Sequence, residues 1–171
     1  MPRALNASSG TLVTKGSWQF GVQQLGTDSL LFYITTNKDV DQPRARSRRY
    51  QLKAPLPADW QDHWHSVLAV YDGKEMSLSI DGNIAAKTPA NGHLVNAPFP
   101  VNIGRNAEIH GQQTDVYLCD ALLDNVFISG EAISHSLLLT SHSSLLSLDF
   151  EQETPGSEYF TYGIGARTYG T

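Results

Sequence analysis

Two Asp-Gly pairs, Asp72-Gly73 and Asp81-Gly82, stand nine positions apart in the run WHSVLAVYDGKEMSLSIDGNIAAK. Carboxylates so placed are candidates for metal ligation or acid–base work, but Asp-Gly between alternating strands is also a strong signal for a tight hairpin turn. Met76, Leu78 and Ile80 alternate with Ser77 and Ser79 between the pairs, which predicts a strand there. The aspartates then sit at opposite ends of that strand, roughly 20 Å apart or more at about 3.3 Å per residue. No single ion or scissile bond is shared over that distance, and the expectation is turns.

Other side chains capable of chemistry are sparse. His63 and His65 flank Trp64, and on a strand they share a face, as a two-histidine metal pair would. With no third ligand nearby, the favoured expectation is a surface histidine pair with Trp64 packed inward. Cys119 stands alone, so it forms no internal disulfide and has no legible His-Asp partner pair. Ser-His-Ser occurs at 134–136 and 141–143 without the glycine-framed turn of a nucleophile elbow. Arg44, Arg46, Arg48 and Arg49 concentrate basic charge, either as a patch for an acidic surface or as protection of an edge strand against sheet-to-sheet pairing. Asp149, Glu151 and Glu153 alternate along one strand face and read as a charged outer face.

The frame that must position these residues is all-β. At 171 residues with 40% hydrophobic and 17% charged content, the chain is long enough for one full core. A net charge of −5 argues against nucleic acid as a partner, and no apolar run reaches the length of a membrane helix. The first residues carry no signal-peptide core, and the aromatic, glycine-rich C-terminal residues suggest a piece excised from a longer protein. Period-two alternation recurs throughout: Trp18, Phe20 and Val22; Leu30, Phe32 and Ile34; then 65–71, 76–80 and 83–87 as a three-strand meander. Val67 to Tyr71 is apolar on both faces, which predicts a central strand. Further strands are expected at 101–104, 116–119, 122–129, 145–151 and 159–164, with one helical turn at 131–139. The predicted architecture is a two-sheet antiparallel sandwich, most simply a jelly roll.

Four pieces carry a family resemblance. Trp64 to Gly73 with Met76 to Gly82 resembles the central meander of laminin-G-like domains, within the concanavalin A-like lectin/glucanase jelly rolls. Thr11 to Gly16 with Gln19 to Val22 resembles their early Lys-Gly strand pair, Pro100 to Gly104 a later strand, and Leu123 to Ile128 with Glu131 to Ser134 the closing segment. Residues 144–151 and 158–171 are similar to a stretch of bacterial family 2 glycoside hydrolases of the β-galactosidase type. The resemblance implies a concanavalin A-like jelly roll over 1–143, with tail strands over 144–171 that complete it or link it to a parent enzyme.

What that implies for function is a non-catalytic accessory domain, with the remainder of the parent hydrolase as partner and a periplasmic or extracellular setting. Family 2 enzymes carry their acid/base in an Asn-Glu pair, and no such dipeptide occurs here. The glucanase pattern Glu-x-Asp-x-x-Glu is not matched by Asp149-x-Glu151-x-Glu153. One alternative is a carbohydrate-binding module, since sugars dock on aromatic faces with a few directed hydrogen bonds. Trp60, Trp64, Trp18, Tyr33 and Tyr117 are its candidates, Trp60 foremost because Pro55 to Asp59 place it on a loop. The other alternative is a calcium-stabilised structural or adhesion domain with Asp124, which matches the aspartate of the closing motif, as the ligand.

Overall fold

The computed structural model describes residues 9–38, 47–96, 98–106, 118–133 and 146–148. Eleven strands are found among them: β1 Ser9–Lys15, β2 Phe20–Leu25, β3 Ser29–Asn37, β4 Arg48–Pro55, β5 Val67–Tyr71, β6 Glu75–Ile80, β7 Asn83–Pro89, β8 His93–Leu94, β9 Val101–Ile103, β10 Val126–Ile128 and β11 Leu146–Leu148. One sheet runs β4-β3-β2-β1-β9, with β8 pairing the end of β3; a second runs β5-β6-β7; β10 and β11 form an antiparallel pair. Every pairing is antiparallel. The all-β two-sheet sandwich expected from the alternation is the architecture observed.

The two larger sheets meet face to face. Leu30, Phe32 and Ile34 of β3 and Tyr50, Leu52 and Ala54 of β4 pack against Met76, Leu78 and Ile80 of β6. These are the alternating positions of each strand, so the pleat alone delivers them to one side. β4 shows the pattern most cleanly, because Arg49, Gln51 and Lys53 point to the opposite side and stay exposed. It lies at the edge of its sheet, as the arginine-rich stretch suggested. Arg48 rests over the Tyr50 ring at 4.6 Å and Arg49 over Tyr33 at 4.3 Å, so both guanidinium groups cover aromatic faces. Arg44 and Arg46 lie outside the described residues.

β3 is buried on both faces. Opposite the core, Tyr33 lies across Gly21 of β2 and donates its hydroxyl hydrogen to the Gly16 carbonyl at 2.9 Å. The same oxygen shares a 2.7 Å hydrogen bond with the Thr14 hydroxyl on β1. A Cβ at position 21 would stand 2.5 to 2.8 Å from the Tyr33 ring and hydroxyl, closer than any ordinary contact. Glycine is required there to let the ring lie flat.

The meander at 67–89 has the expected three strands, but its centre is β6 rather than β5. A strand that follows one hairpin and precedes the next is flanked on both sides, and that strand is β6. The hairpin at Asp81-Gly82 has positive φ at both residues, 51° and 77°, as the tightest turn demands. At Asp72-Gly73 only the glycine is left-handed, with φ 91°. There the Asp72 carboxylate instead accepts the Lys74 and Glu75 amides at 2.8 and 2.7 Å, and those bonds hold its pKa below the usual carboxylate range.

Three expectations are corrected. The strand predicted over 122–129 is reduced to Val126–Ile128, because Asn125 adopts φ 50° and breaks the extended run. Glu131 to Ile133, the described part of the expected helical turn, is not helical. Leu118 and Cys119, the described part of the strand expected over 116–119, are not in a strand. Residues 149–171, including Asp149, Glu151, Glu153 and the strand expected over 159–164, lie outside the described residues, as do both Ser-His-Ser stretches.

Gly21→Ala is expected to destabilise the domain by about 1–3 kcal/mol, the usual cost of forcing atoms into a filled site. Urea unfolding checks this. The variant should lower the midpoint with little change in slope.

Candidate functional site

The loop from Leu56 to Ser66 joins the two large sheets and carries two of the aromatic candidates. Its first half turns back on itself, with the Trp60 amide donating to the Pro57 carbonyl at 3.1 Å. That turn drives Trp60 into the core, where it is only 5% exposed. Its indole N–H donates to Gln24 Oε1 at 3.0 Å, giving the one polar atom of the ring a partner inside. Trp60 is therefore a core anchor and offers no open face to a sugar, contrary to the loop-based expectation. Burying so large a ring outweighs leaving it on a loop once its N–H is satisfied.

His65 stacks on the other side of Trp60, with ring centroids 4.9 Å apart and planes inclined by 20°. Its side chain is 5% exposed and meets Asp81 Oδ2 through Nδ1 at 2.7 Å. Nε2 meets the Asp59 carbonyl at 3.1 Å. Asp81's other oxygen accepts the Ser66 amide at 2.8 Å. Burial pulls the imidazole pKa down, but the bonds to Asp81 and Asp59 and the charges of both carboxylates outweigh it, so the net shift is upward. For Asp81, burial pushes upward and is overcome by the bonds from His65 and Ser66, leaving the carboxyl below its ordinary value. Asp81 is thus both a turn residue and a chemical partner.

Trp64 projects outward between these anchored neighbours and is 59% exposed. The expectation that Trp64 packs inward and the histidines form a surface pair is reversed for Trp64 and His65. The segment is a loop before β5 begins at Val67, so strand alternation does not apply to it. His63 is exposed, with Nδ1 at 2.9 Å from the Gln61 carbonyl, while His65 finds two oxygen partners and an aromatic face inside. Asp59, Gln61, Asp62 and His63 of the same loop and Asp81 of the β6–β7 turn are also exposed. An open indole with hydrogen-bonding groups nearby in the chain is the kind of side chain on which a sugar face can stack.

The remaining candidates fall elsewhere. Tyr33 is fully buried beneath Arg49 and unavailable as a platform, because its ring fills the space above Gly21. Tyr117 lies outside the described residues. Trp18, 56% exposed, sits in the β1–β2 turn, at the end of β2 remote from Gln24 and Trp60. Asp124 Oδ1 accepts the Asn125 amide at 2.8 Å, and Oδ2 the Asn125 side-chain amide at 3.3 Å. Among the described residues no three His, Cys, Asp or Glu side chains converge as a metal site. Cys119 is half-buried, and burial pushes its thiol up to about 11, so it carries little thiolate near neutrality.

The Asp81–His65–Trp60–Gln24 chain was missed because it joins positions 24, 60, 65 and 81, which no local spacing links. The signal available was the unusual clustering of His, Trp and Asp before a strand.

The fold is a small antiparallel β-sandwich. A laminin-G-type family model, described as the concanavalin A-like lectin/glucanases superfamily, matches residues 1–137, and the chain belongs to that superfamily. Neither the curated proteins nor the solved structures contain a match to this chain.

Trp60→Phe keeps most of the packing but leaves Gln24 Oε1 without its indole donor. A loss of about 1–3 kcal/mol is expected, the cost of an unsatisfied buried acceptor. Thermal unfolding of Trp60→Phe beside Gln24→Ala, Trp60→Phe checks it, since the double variant removes the orphaned oxygen and should recover part of the loss.

Proposed function

We propose that this is a non-catalytic accessory domain of a carbohydrate-active protein, and that it engages carbohydrate through the Trp64 loop. The observation that carries the reading is Trp64 itself, 59% exposed while both flanking anchors, Trp60 and His65, are buried. An apolar ring is held in water at the cost of its own burial, and stacking on a sugar face recovers that cost. The superfamily contains sugar-binding and sugar-cleaving jelly rolls by its own description, which supports the ligand class. No carboxylate pair at glycosidase spacing was legible in the sequence, which supports binding without turnover.

A second reading is favoured by Trp18. It is 56% exposed at the opposite end of β2, and Arg49 donates to the neighbouring Ser17 carbonyl at 2.6 Å. This end suits packing against the remainder of a parent chain, which we take to be a β-galactosidase-type enzyme because residues 144–151 and 158–171 resemble family 2 glycoside hydrolases. In that arrangement residues 1–143 form the jelly roll, 144–171 complete it or lead to the catalytic part, and the parent works in the periplasm or outside the cell. β11 at Leu146–Leu148 pairs with β10, which supports the completing role for the first part of that tail.

Calorimetry against galactosides and complex glycans tests the first reading. Trp64→Ala is expected to lower affinity roughly 5- to 150-fold, if a sugar stack is worth about the 1–3 kcal/mol of a base on an aromatic ring, with its melting temperature unchanged. Trp18→Ala should leave binding intact. No heat from the unsubstituted domain at millimolar ligand would overturn the reading, as would its turnover of a nitrophenyl galactoside above a contaminant control.

A further inference from the structure

Both ring nitrogens of His65 face oxygen atoms that can only accept. Asp81 Oδ2 is 2.7 Å from Nδ1, and the Asp59 carbonyl is 3.1 Å from Nε2. A neutral imidazole has one N–H and can serve one of them; an imidazolium serves both. The two bonds cross the chain, since Asp81 belongs to the β6–β7 turn and Asp59 to the loop before β5. Between Asp59 and His65 lie the five residues that end in Trp64.

We propose that His65 is a positioning residue for Trp64: its protonated ring ties the Asp59 end of the 59–65 span to the Asp81 turn, and its deprotonation releases that end. The inference rests on Trp64 being the binding platform for its meaning, though the clamp itself stands on the geometry above. When the proton leaves, the ring keeps the shorter bond to the Asp81 carboxylate, which is the charged acceptor, and gives up the Asp59 carbonyl. The Asp59 end of the span then loses its tie to the Asp81 turn. The charges acting on the ring are Asp59 from its own loop and Asp81 from the facing turn; Trp60 and Gln24 beneath it are neutral.

The sign follows from the direction of the shift. His65 has its pKa raised above the ordinary 6.5 in the fold. Its contribution is fully present below that ordinary value and is lost as pH rises through the raised one. Trp64 is therefore best ordered in mildly acidic conditions and least ordered in alkaline ones.

Hydrogen exchange of the ligand-free protein tests this at about pH 5.5 and about pH 8.5, on either side of the histidine titration. Protection factors, corrected for intrinsic exchange, should fall roughly tenfold in peptides covering 59–66 at the higher pH, the worth of one charge-assisted hydrogen bond. Peptides from β3 and β6 should not change. His65→Gln should show the low protection at both values. Asp81→Asn tolerates the same left-handed backbone, and there the transition should move to lower pH. Equal protection of 59–66 at both pH values in the unsubstituted protein overturns the proposal, as does an undiminished pH dependence in His65→Gln. Calorimetry with a glycan ligand separates the two claims. Binding absent at every pH removes the platform reading and leaves the exchange result standing, whereas binding with no pH dependence beside a pH-dependent loop removes only the coupling of clamp to ligand.

Discussion

The structure depends on β3 having no solvent-facing side. Its core face holds Leu30, Phe32 and Ile34 against β6, and its other face is sealed by Tyr33 and the strands it lies across. A strand buried twice cannot slip, since a one-residue shift would exchange the two faces along its whole length. β2 and β4 are registered against it on either side. Gly21 is the complement of that constraint, a position where a side chain had to be absent for the Tyr33 ring to close the second face.

From this rigid sheet the loop at 56–66 inherits its form. Gln24 on β2 offers the acceptor that draws Trp60 in, Trp60 offers the face on which His65 stacks, and His65 reaches the turn of the second sheet. The chain of contacts ties the two sheets together at one end, and Trp64 is what remains outside it. A platform on a loop is useful only if the loop is stiff, because ordering a free segment on binding costs part of the affinity. Here the loop is held by Gln24 and Asp81, both distant from it in sequence. The superfamily assignment supplies the class, and the accessory carbohydrate reading follows from this exposed ring.

Much of the fold was legible from alternation. The meander's three strands, the β4 edge and the apolar triplets of β3 and β6 are all local patterns, because the strand period of two is written residue by residue. The family pieces at 11–22, 64–82, 100–104 and 123–134 were also legible as local motifs, and the family match over 1–137 covers them. The site was legible only in part. Trp64 and His65 were both noticed, but their orientations were exchanged, since strand alternation was applied to residues that precede the strand. Trp60 was the foremost platform candidate because its loop is rich in proline, although core packing was favoured for each tryptophan, and its burial depends on Gln24, distant in sequence.

By itself, then, the sequence determined the class of fold, the sites of the tight turns and the set of aromatic and ionisable side chains available for function. Those follow from nearest-neighbour sterics and from period-two burial, which act over a few residues. Tertiary structure decided which tryptophan is buried and which is exposed, and made Asp81 the partner of His65 as well as a bend. It also carried Tyr33 beneath Arg49. Burial and hydrogen-bond pairing between strands far apart in the chain settle those choices, and no local pattern encodes them.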